Sequence, residues 1–371
     1  MKNKIHKYDF LIVGAGLIGA LAGLELFKKK FKVLVIEKND HSLLDQRTLA
    51  VNANSREFLQ SLGLWNKLRN IPIQNIIIED EINISPLVFK NANEPMGSVI
   101  YNKDLLLKAR AELKKNNLLL ENIDLDINKI DFNQPLRLKN KYYNFSKVIL
   151  SVGKNITSSR QFKKNIFGFG HNSYVGFFNH NYNHDNKAYE MFTKQGPLAV
   201  LPAPSTNKYL STFIYSSKIP IKIIELKKLI KKYFHKTHGQ LIFMKNFKSF
   251  KISPHLTTSY NKNVILIGDS LRSIHPVAGQ GWNLGIKDIQ ALSELLEQYY
   301  INDHNFSDLY FSRRKMEIYT YLTFTNFINS LYENDSKINR LIIKFGFQSL
   351  LRFDLIRNTF VNQAMGRLNL I

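Results

Sequence analysis

Near its N-terminus this chain carries "YDFLIVGAGLIGALAGLELFKKKFKVLVIEK" (Tyr8 to Lys38), and no other feature limits its fold as strongly. Two short β-branched runs flank an alanine- and leucine-rich segment of helical length, so the stretch predicts strand, glycine turn, helix, strand. Such a βαβ unit commits the chain to a parallel sheet with a crossover helix packed on it. Gly14, Gly16 and Gly19 form G-x-G-x-x-G directly after the first strand. Glycines there allow a tight turn and let backbone N–H groups approach a pyrophosphate at the positive end of the helix. The competing explanation is a glycine turn that only permits close helix–strand packing. The second strand ends in Glu37, about twenty residues on, where a carboxylate accepts ribose hydroxyl protons and disfavours a 2′-phosphate. These residues expect the adenosine moiety of FAD or NAD and do not choose between them.

With 371 residues, 44% of them apolar, the chain can build the core of one large domain or two intimately packed ones. It has no cysteine. Disulfides, thiolate metal sites and cysteine nucleophiles are excluded, and a cytoplasmic location is expected. Basic residues precede the first apolar run, but that run meets its glycines too soon for a signal sequence or a membrane span. A soluble or peripheral protein is therefore expected. The formal charge of +23 would suit nucleic acid, an anionic membrane surface or acidic substrates. Lysine, asparagine and isoleucine abound in every segment without a compact basic block, so no nucleic acid is expected. Attraction to an anionic membrane is kept.

Further along, "DQRTLAVNANSREFLQSLGLWNKL" starts as a polar loop and becomes an amphipathic helix with Phe58, Leu59, Leu62, Leu64 and Leu68 on one stripe, bent or capped at Gly63. Short strands follow from Ile73 to about Phe89, then a helix over Asn102 to Asn117 and a buried strand in "KVILSVGK" (Lys147 to Lys154). From about Phe167 to Phe250 aromatic and apolar runs alternate with Asn, Pro and Ser, as in an antiparallel sheet, with one amphipathic helix over Ile223 to Tyr233. Helices are expected over Asp288 to Tyr300 and from Phe306 onward. The fold expected is α/β: a Rossmann-like FAD-binding domain with an inserted mixed β-sheet substrate layer and a helical C-terminus. Its parts are residues 1–75, 101–160 and 256–300 on the cofactor side, 76–100 and 161–255 on the substrate side, and 301–371 as C-terminal helices.

The stretch "NVILIGDSLRSIHPVAGQGWNLGIKD" (Asn263 to Asp288) chooses the cofactor. A strand ends beside the nucleotide crevice at Asp269, whose carboxylate is placed to hold a ribityl hydroxyl, and a second glycine-rich turn, "AGQGWNLG", opens another helix. A nicotinamide dehydrogenase needs one such turn, whereas a flavin needs a second to bring N–H groups and a helix dipole to its N1/C2=O edge. FAD is the expected cofactor. Plainer explanations stand beside several residues. Asp45 and Arg47 make an ordinary surface pair, His275 before Pro276 a structural hydrogen-bonding residue, Gly196 and Pro197 a turn, and Trp65 core. His171, His180 and His184 lie near Asp185, but their spacing fits no helical ligand pair, and no metal is expected. No nucleophile elbow is present.

These motifs resemble those of the ubiquinone-biosynthesis branch of the aromatic-ring hydroxylase flavoproteins, which share a para-hydroxybenzoate hydroxylase-like fold. The resemblance spans nearly the whole chain: Gly14 to Gly19, "DQR" (Asp45 to Arg47) with "LGLW" (Leu62 to Trp65), "MGSVIYNKDL" (Met96 to Leu105), "AYEMFTKQGPLAVLP" (Ala188 to Pro202), and the glycine-rich stretch from Asn263. It implies an FAD-dependent aromatic-ring monooxygenase, reduced by NAD(P)H or a partner reductase, that uses O2 through a flavin C4a-hydroperoxide. The substrate implied is a polyprenylphenol intermediate of ubiquinone biosynthesis, handled within a quinone-synthesis protein assembly. Residue by residue, Gly14, Gly16 and Gly19 would hold the pyrophosphate and Glu37 the ribose. Arg47 would reach the flavin side and Asp269 the ribityl and phosphate region. Pro276, Gly279 and Gly281 would line the flavin ring, with the backbone of Trp282 and Asn283 aimed at N1/O2.

The chain departs from the branch at "LSVGKNITSSR" (Leu150 to Arg160), where Gly153 and Lys154 stand in place of an Asp-Gly pair. That exchange alters local charge by about two units, on the order of a few kcal/mol at an effective dielectric near 20 and about 6 Å, enough to change how a nicotinamide cofactor docks. Arg272 stands where the branch often has histidine, making the crevice more basic. The departure motivates an alternative, a catalytically impaired flavoprotein serving as a binding or scaffold subunit. A same-fold flavin reductase or halogenase is a third possibility, although no lysine motif identifies a halogenase. Finally, "RLIIKFGFQSLLRFDLIRNTF" interleaves apolar and basic residues, as in a core-packing helix pair or in a surface lying on an anionic bilayer at the inner membrane face.

Overall fold

The computed structural model describes residues 5–38, 47–168, 170–245, 247–274, 280–334 and 336–367. Asp45, His275, Pro276 and Gly279 lie outside them.

The βαβ unit forms as its sequence requires, and it anchors a six-stranded sheet. Strands β19 (Val264–Leu266), β10 (Lys141–Leu150), β1 (Ile5–Val13), β2 (Val33–Glu37) and β8 (Leu119–Glu121) lie side by side in that order, all parallel, and β9 (Leu136–Leu138) pairs antiparallel with β10. Strand β1 is central, which is why Phe10 to Val13 read as a continuous apolar run. Phe10 and Ile12 face a core shared with helices α1 (Leu17–Lys28), α3 (Asn102–Lys115) and α5 (Gln280–Gln298). Leu11 and Val13 face the opposite core, with Phe162, Leu256 and the α6 (Phe306–Glu333) residues Ile318 and Leu322. A small antiparallel sheet, β11 (Phe162–Ile166), β18 (His255–Ser259) and β20 (Arg272–Ser273), covers that second face.

The second layer is an eight-stranded sheet. Its order is β16 (Leu241–Phe243), β12 (His171–His180), β15 (Leu210–Ser217), β14 (Gly196–Pro202), β13 (Lys187–Thr193), β5 (Asn75–Asp80) and β6 (Leu87–Lys90), with β17 (Lys248–Ile252) also pairing with β12. All pairs are antiparallel except β13 with β5. Period-two alternation sends Tyr189, Met191, Leu198, Val200, Phe213 and Tyr215 to one face, where Leu226, Ile230 and Phe234 of α4 (Ile223–His238) cover them. The other face carries Ala188, Ala199, Leu201 and Ile214. It meets a three-stranded sheet of β3 (Thr48–Val51), β7 (Gly97–Tyr101) and β4 (Asn70–Ile73), and Val361 of α8 (Asp354–Ala364). Helix α7 (Lys337–Arg352) packs Ile343 and Phe347 beside Phe192 and Tyr332.

One element is shorter than its periodicity predicts. Helix α2 (Ala53–Ser61) stops before Leu62, because Gly63 turns left-handed at φ +68°. Leu64, Trp65 and Leu68 reach the same core from a short 3-10 turn, so burial follows the apolar pattern although the helix does not. Among the described residues no helix is long and apolar enough to cross a membrane.

Candidate cofactor and active site

The first glycine turn is built around a space. Gly14 has φ +99°, and a Cβ there would sit 2.5 Å from the Ser151 carbonyl oxygen at the end of β10, so only glycine fits. A Cβ on Gly19 would collide with the Gly14 carbonyl, which fixes helix α1 tightly against the turn. Gly16 differs. It caps α1 in an extended conformation, and a Cβ there would meet nothing within 4 Å. The structure thus leaves room at the helix N-terminus, where a pyrophosphate would find unpaired N–H groups and the positive end of the helix dipole.

Glu37 closes the turn from the end of β2. Its Oε2 accepts the Ala15 N–H at 2.6 Å and lies 3.3 Å from Nη2 of Arg110, which also donates through Nε to the Ala15 carbonyl at 2.8 Å. Arg110 is only 5% exposed on α3 and belongs to the site, yet the sequence reading did not single it out. The available signal was an arginine on the buried face of an amphipathic helix, where a cation must have a partner.

The second glycine-rich stretch meets the first through α5. A Cβ on Gly285 would lie 2.6 Å from Ile18, and one on Gly268 would lie 3.3 Å from the same side chain, so α1 and the Gly268–Ser270 turn approach closely. Asn283 ties the first turn of α5 to β3 and α2: its Nδ2 donates to the Ala50 carbonyl at 3.0 Å, and its Oδ1 accepts the Asn52 N–H at 3.2 Å. Gly281 is exposed and a Cβ there would meet nothing within 4 Å. The indole Nε1 of Trp282 is buried without a hydrogen-bond partner among the described residues.

Asp269 belongs to the Gly268–Ser270 turn. Its side chain is open to water, yet surrounding protein raises its carboxyl above the ordinary value by desolvation; Arg272, His255, Arg47 and Lys154 oppose that rise. His255 is 1% exposed, with Nε2 3.1 Å from the Asp269 carbonyl and Nδ1 3.0 Å from that of Ser253. A neutral ring has one N–H for these two acceptors, and burial and then Lys164 hold its pKa below the ordinary value. Arg47 and Lys154 both touch β17. The Arg47 guanidinium lies 4.7 Å from the centre of the Phe250 ring, and Lys154 Nζ donates to the Lys251 carbonyl at 3.0 Å. The Gly153–Asn155 turn abuts Gly268–Ser270 through Ser270 Oγ, which donates to the Gly153 carbonyl at 3.3 Å.

Arg272 does not open onto the crevice as its sequence position suggested. It is 3% exposed and bonds the Asp288 carboxylate, which also accepts from Arg314 Nε at 2.9 Å and from the Gly268 N–H at 2.9 Å. Glu317 extends the network to Lys287 at 2.7 Å and to Arg314. Asp288 therefore ties α5 to the turn that carries Asp269 and, through Arg314, to α6. Of the three histidines near Asp185 in sequence, His171 lies apart, 3.3 Å from Glu333, while His180 and His184 join His238 instead. Among the described residues no histidine or carboxylate group has the arrangement of a metal site.

Comparison with known proteins identifies the family and the fold. A family model described as "FAD binding domain" matches residues 7–123 and 185–316, well over half of the chain. The chain is 26% identical to the ubiquinone hydroxylase UbiL of Rhodospirillum rubrum, over 98% of this chain and 90% of that protein. It is 22% identical to the ubiquinone hydroxylase UbiM of Neisseria meningitidis, over 96% and 84% respectively. Its fold is similar to that of p-nitrophenol 4-monooxygenase PnpA from Pseudomonas putida DLL-E4, with a TM-score of 0.74, 14% identity and coverage of 99% and 100%. With a cradle that fits its pyrophosphate, a second glycine-rich stretch in the sequence and a family model spanning both, the cofactor is FAD, and the chain belongs to the FAD binding domain family of aromatic-ring monooxygenases.

Proposed function

We propose that this protein hydroxylates the aromatic ring of a polyprenylphenol intermediate in ubiquinone biosynthesis, with O2 as co-substrate and NAD(P)H or a partner reductase as electron source. The observation that carries the reading is that relatives alike over nearly the whole chain, substrate sheet included, are named ubiquinone hydroxylases. FAD supplies the oxygen-activating chemistry. The chain's residues bind, orient and exclude water.

In this reading Gly14, Gly16 and Gly19 seat the pyrophosphate, Arg110 holds Glu37 in place for the ribose, and Asp269 takes the ribityl side. Pro276, Gly279 and Gly281 border the ring, and the first N–H groups of α5, at Trp282 and Asn283, are the donors for its N1/O2 edge. Arg47 approaches from β3. The apolar face bearing Ala199, Leu201 and Ile214 packs with Ala50, whose carbonyl binds Asn283, so a dry surface adjoins the ring-facing end of α5. Residues 1–75, 101–160 and 256–300 then form the cofactor side and 76–100 with 161–255 the substrate side. The protein would work in the cytoplasm at the inner membrane face, beside other quinone-synthesis proteins.

Lys154 favours a second reading of electron supply: an exposed lysine at this turn points to a partner reductase, or to a scaffold role without turnover. Purified FAD-loaded protein, mixed anaerobically with NADH, NADPH or a reductase and then with O2 and a prenylated phenol, separates these. Flavin bleaching followed by a hydroxylated product is expected. Flavin that no donor reduces sinks the enzyme reading. In a strain lacking the protein, lipid extracts should accumulate a polyprenylphenol, which identifies the ring carbon.

A further inference from the structure

The C-terminal helices present an apolar face that the fold leaves uncovered. Helix α7 turns Ile343 and Phe347 inward. On its opposite side Ile338, Leu341, Ile342 and Phe345, spaced i, i+3, i+4 and i+7, are 70%, 67%, 42% and 74% exposed. An α-helix buried on one side needs polar residues on the other, so a second apolar stripe is superfluous for folding. The exposed surface continues through Phe353 and Leu355 into α8. There Phe360 packs on Phe324 of α6 with ring centres 6.2 Å apart, which joins it to that helix's exposed aromatic residues.

Charge says what covers this face. Between positions 337 and 367 the chain has six basic residues and one acidic residue, Asp354, which is paired with Arg357. At 100° per residue Lys337, Arg340 and Lys344 fall along one flank of the apolar stripe. A second copy of the chain, docked antiparallel through the same face, would set this basic flank against itself. An anionic lipid surface complements both features, taking the apolar side chains among its acyl chains and the lysines and arginines at its headgroups.

We infer that the α7–α8 face is a docking surface for an anionic bilayer, laid in the plane of the lipid headgroups. Its purpose rests on the reading of the substrate as polyprenylated, since a lipid-tailed ring resides in such a bilayer; its physics does not.

The test uses full-length FAD-loaded protein and co-sedimentation with vesicles of phosphatidylglycerol and phosphatidylcholine, or of phosphatidylcholine alone. Binding to the mixed vesicles is expected, weaker by about tenfold or more without phosphatidylglycerol or at high salt. L341S with F345S should lose about tenfold in binding while flavin absorbance and melting midpoint stay unchanged. K337E with K344E should abolish the preference for phosphatidylglycerol. Tyr300→Ser, an exposed aromatic in the α5–α6 turn, should change nothing. Binding that ignores phosphatidylglycerol, absence of binding, or variants that behave like the parent overturns the inference. So does a dimer in solution that L341S with F345S dissociates, which would make the partner a second copy. No substrate takes part, so a protein that hydroxylates detergent-dispersed substrate but ignores vesicles overturns this inference alone.

Discussion

Behind the Gly268–Ser270 turn, Arg272, Asp288, Arg314, Glu317 and Lys287 are buried in paired contacts, whereas beside the eight-stranded sheet His180, His184 and His238 are buried with their pKa values lowered. In the first region burial opposes the charge of Arg314, but Asp288 and Glu317 outweigh it and its pKa rises. Burial likewise opposes Glu317, and Arg314 with Lys287 outweigh it, so its pKa falls. In the second region nothing outweighs burial. The rings of His180 and His238 are 4.8 Å apart and those of His180 and His184 are 6.2 Å apart, so each would repel its neighbour's charge. Desolvation first, and then neighbouring histidines, push His238 down to about 3 and His184 down to about 4. The difference teaches that the cofactor side secures its turns with ions whose partners outweigh burial at Arg314 and Glu317. The eight-stranded sheet depends on groups that acid will charge.

Breaking the paired network should have the largest effect. Asp288→Ala strands the Arg272 guanidinium and the Gly268 N–H and leaves Arg314 with Glu317 alone, and is expected to cost about 3–5 kcal/mol in denaturant unfolding. A loss under about 1 kcal/mol would contradict a tightly coupled network.

Acid should come next, acting on the other region. Above the ordinary histidine value of 6.5 the rings are neutral in both folded and unfolded chains, so nothing is gained or lost. As pH falls below it, the unfolded chain binds protons that the fold refuses until about 4 at His184 and about 3 at His238, and stability declines across that window. The decline is on the order of a few kcal/mol. His238→Phe should flatten it in thermal melts recorded from pH 7 to about 4. An unchanged slope would place the acid sensitivity elsewhere.

Smaller effects sharpen the contrast at the cofactor turn itself. Glu37→Gln removes the carboxylate that partners buried Arg110, and should weaken FAD binding about tenfold in a fluorescence titration while costing the apoprotein about 1–2 kcal/mol in unfolding. Lys154→Gly should be the mildest for stability, within about 0.5 kcal/mol, because the side chain is exposed. Its effect belongs in the rate of flavin reduction by NAD(P)H. If that rate is also unchanged, Lys154 has no part in docking the electron donor.

Much of the cofactor side was legible in the sequence because backbone conformation dictates it locally. The strand–glycine–helix order, the acidic end of β2 and the second glycine-rich stretch each depend on residues near one another in the chain. The family their motifs resemble is the one its curated relatives bear in name. What stayed hidden depends on long-range contacts. Arg110 reaches Glu37 across 73 positions, Asp288 gathers Gly268, Arg272 and Arg314, and His238 joins His180 from the end of α4. Arg272 was read as part of a basic crevice because its side chain's direction is set by packing, not by its motif.

By itself the sequence determined that a parallel sheet would carry the first glycine turn, that a mixed sheet would be inserted, and that helices would follow from Phe306. Short-range sterics and apolar periodicity suffice for that. Only the tertiary structure decided which ionisable groups are paired, which are held neutral, and which apolar residues of α7 are left facing outward. Those outcomes turn on desolvation and on neighbours brought from distant parts of the chain, and neither is encoded within any one segment.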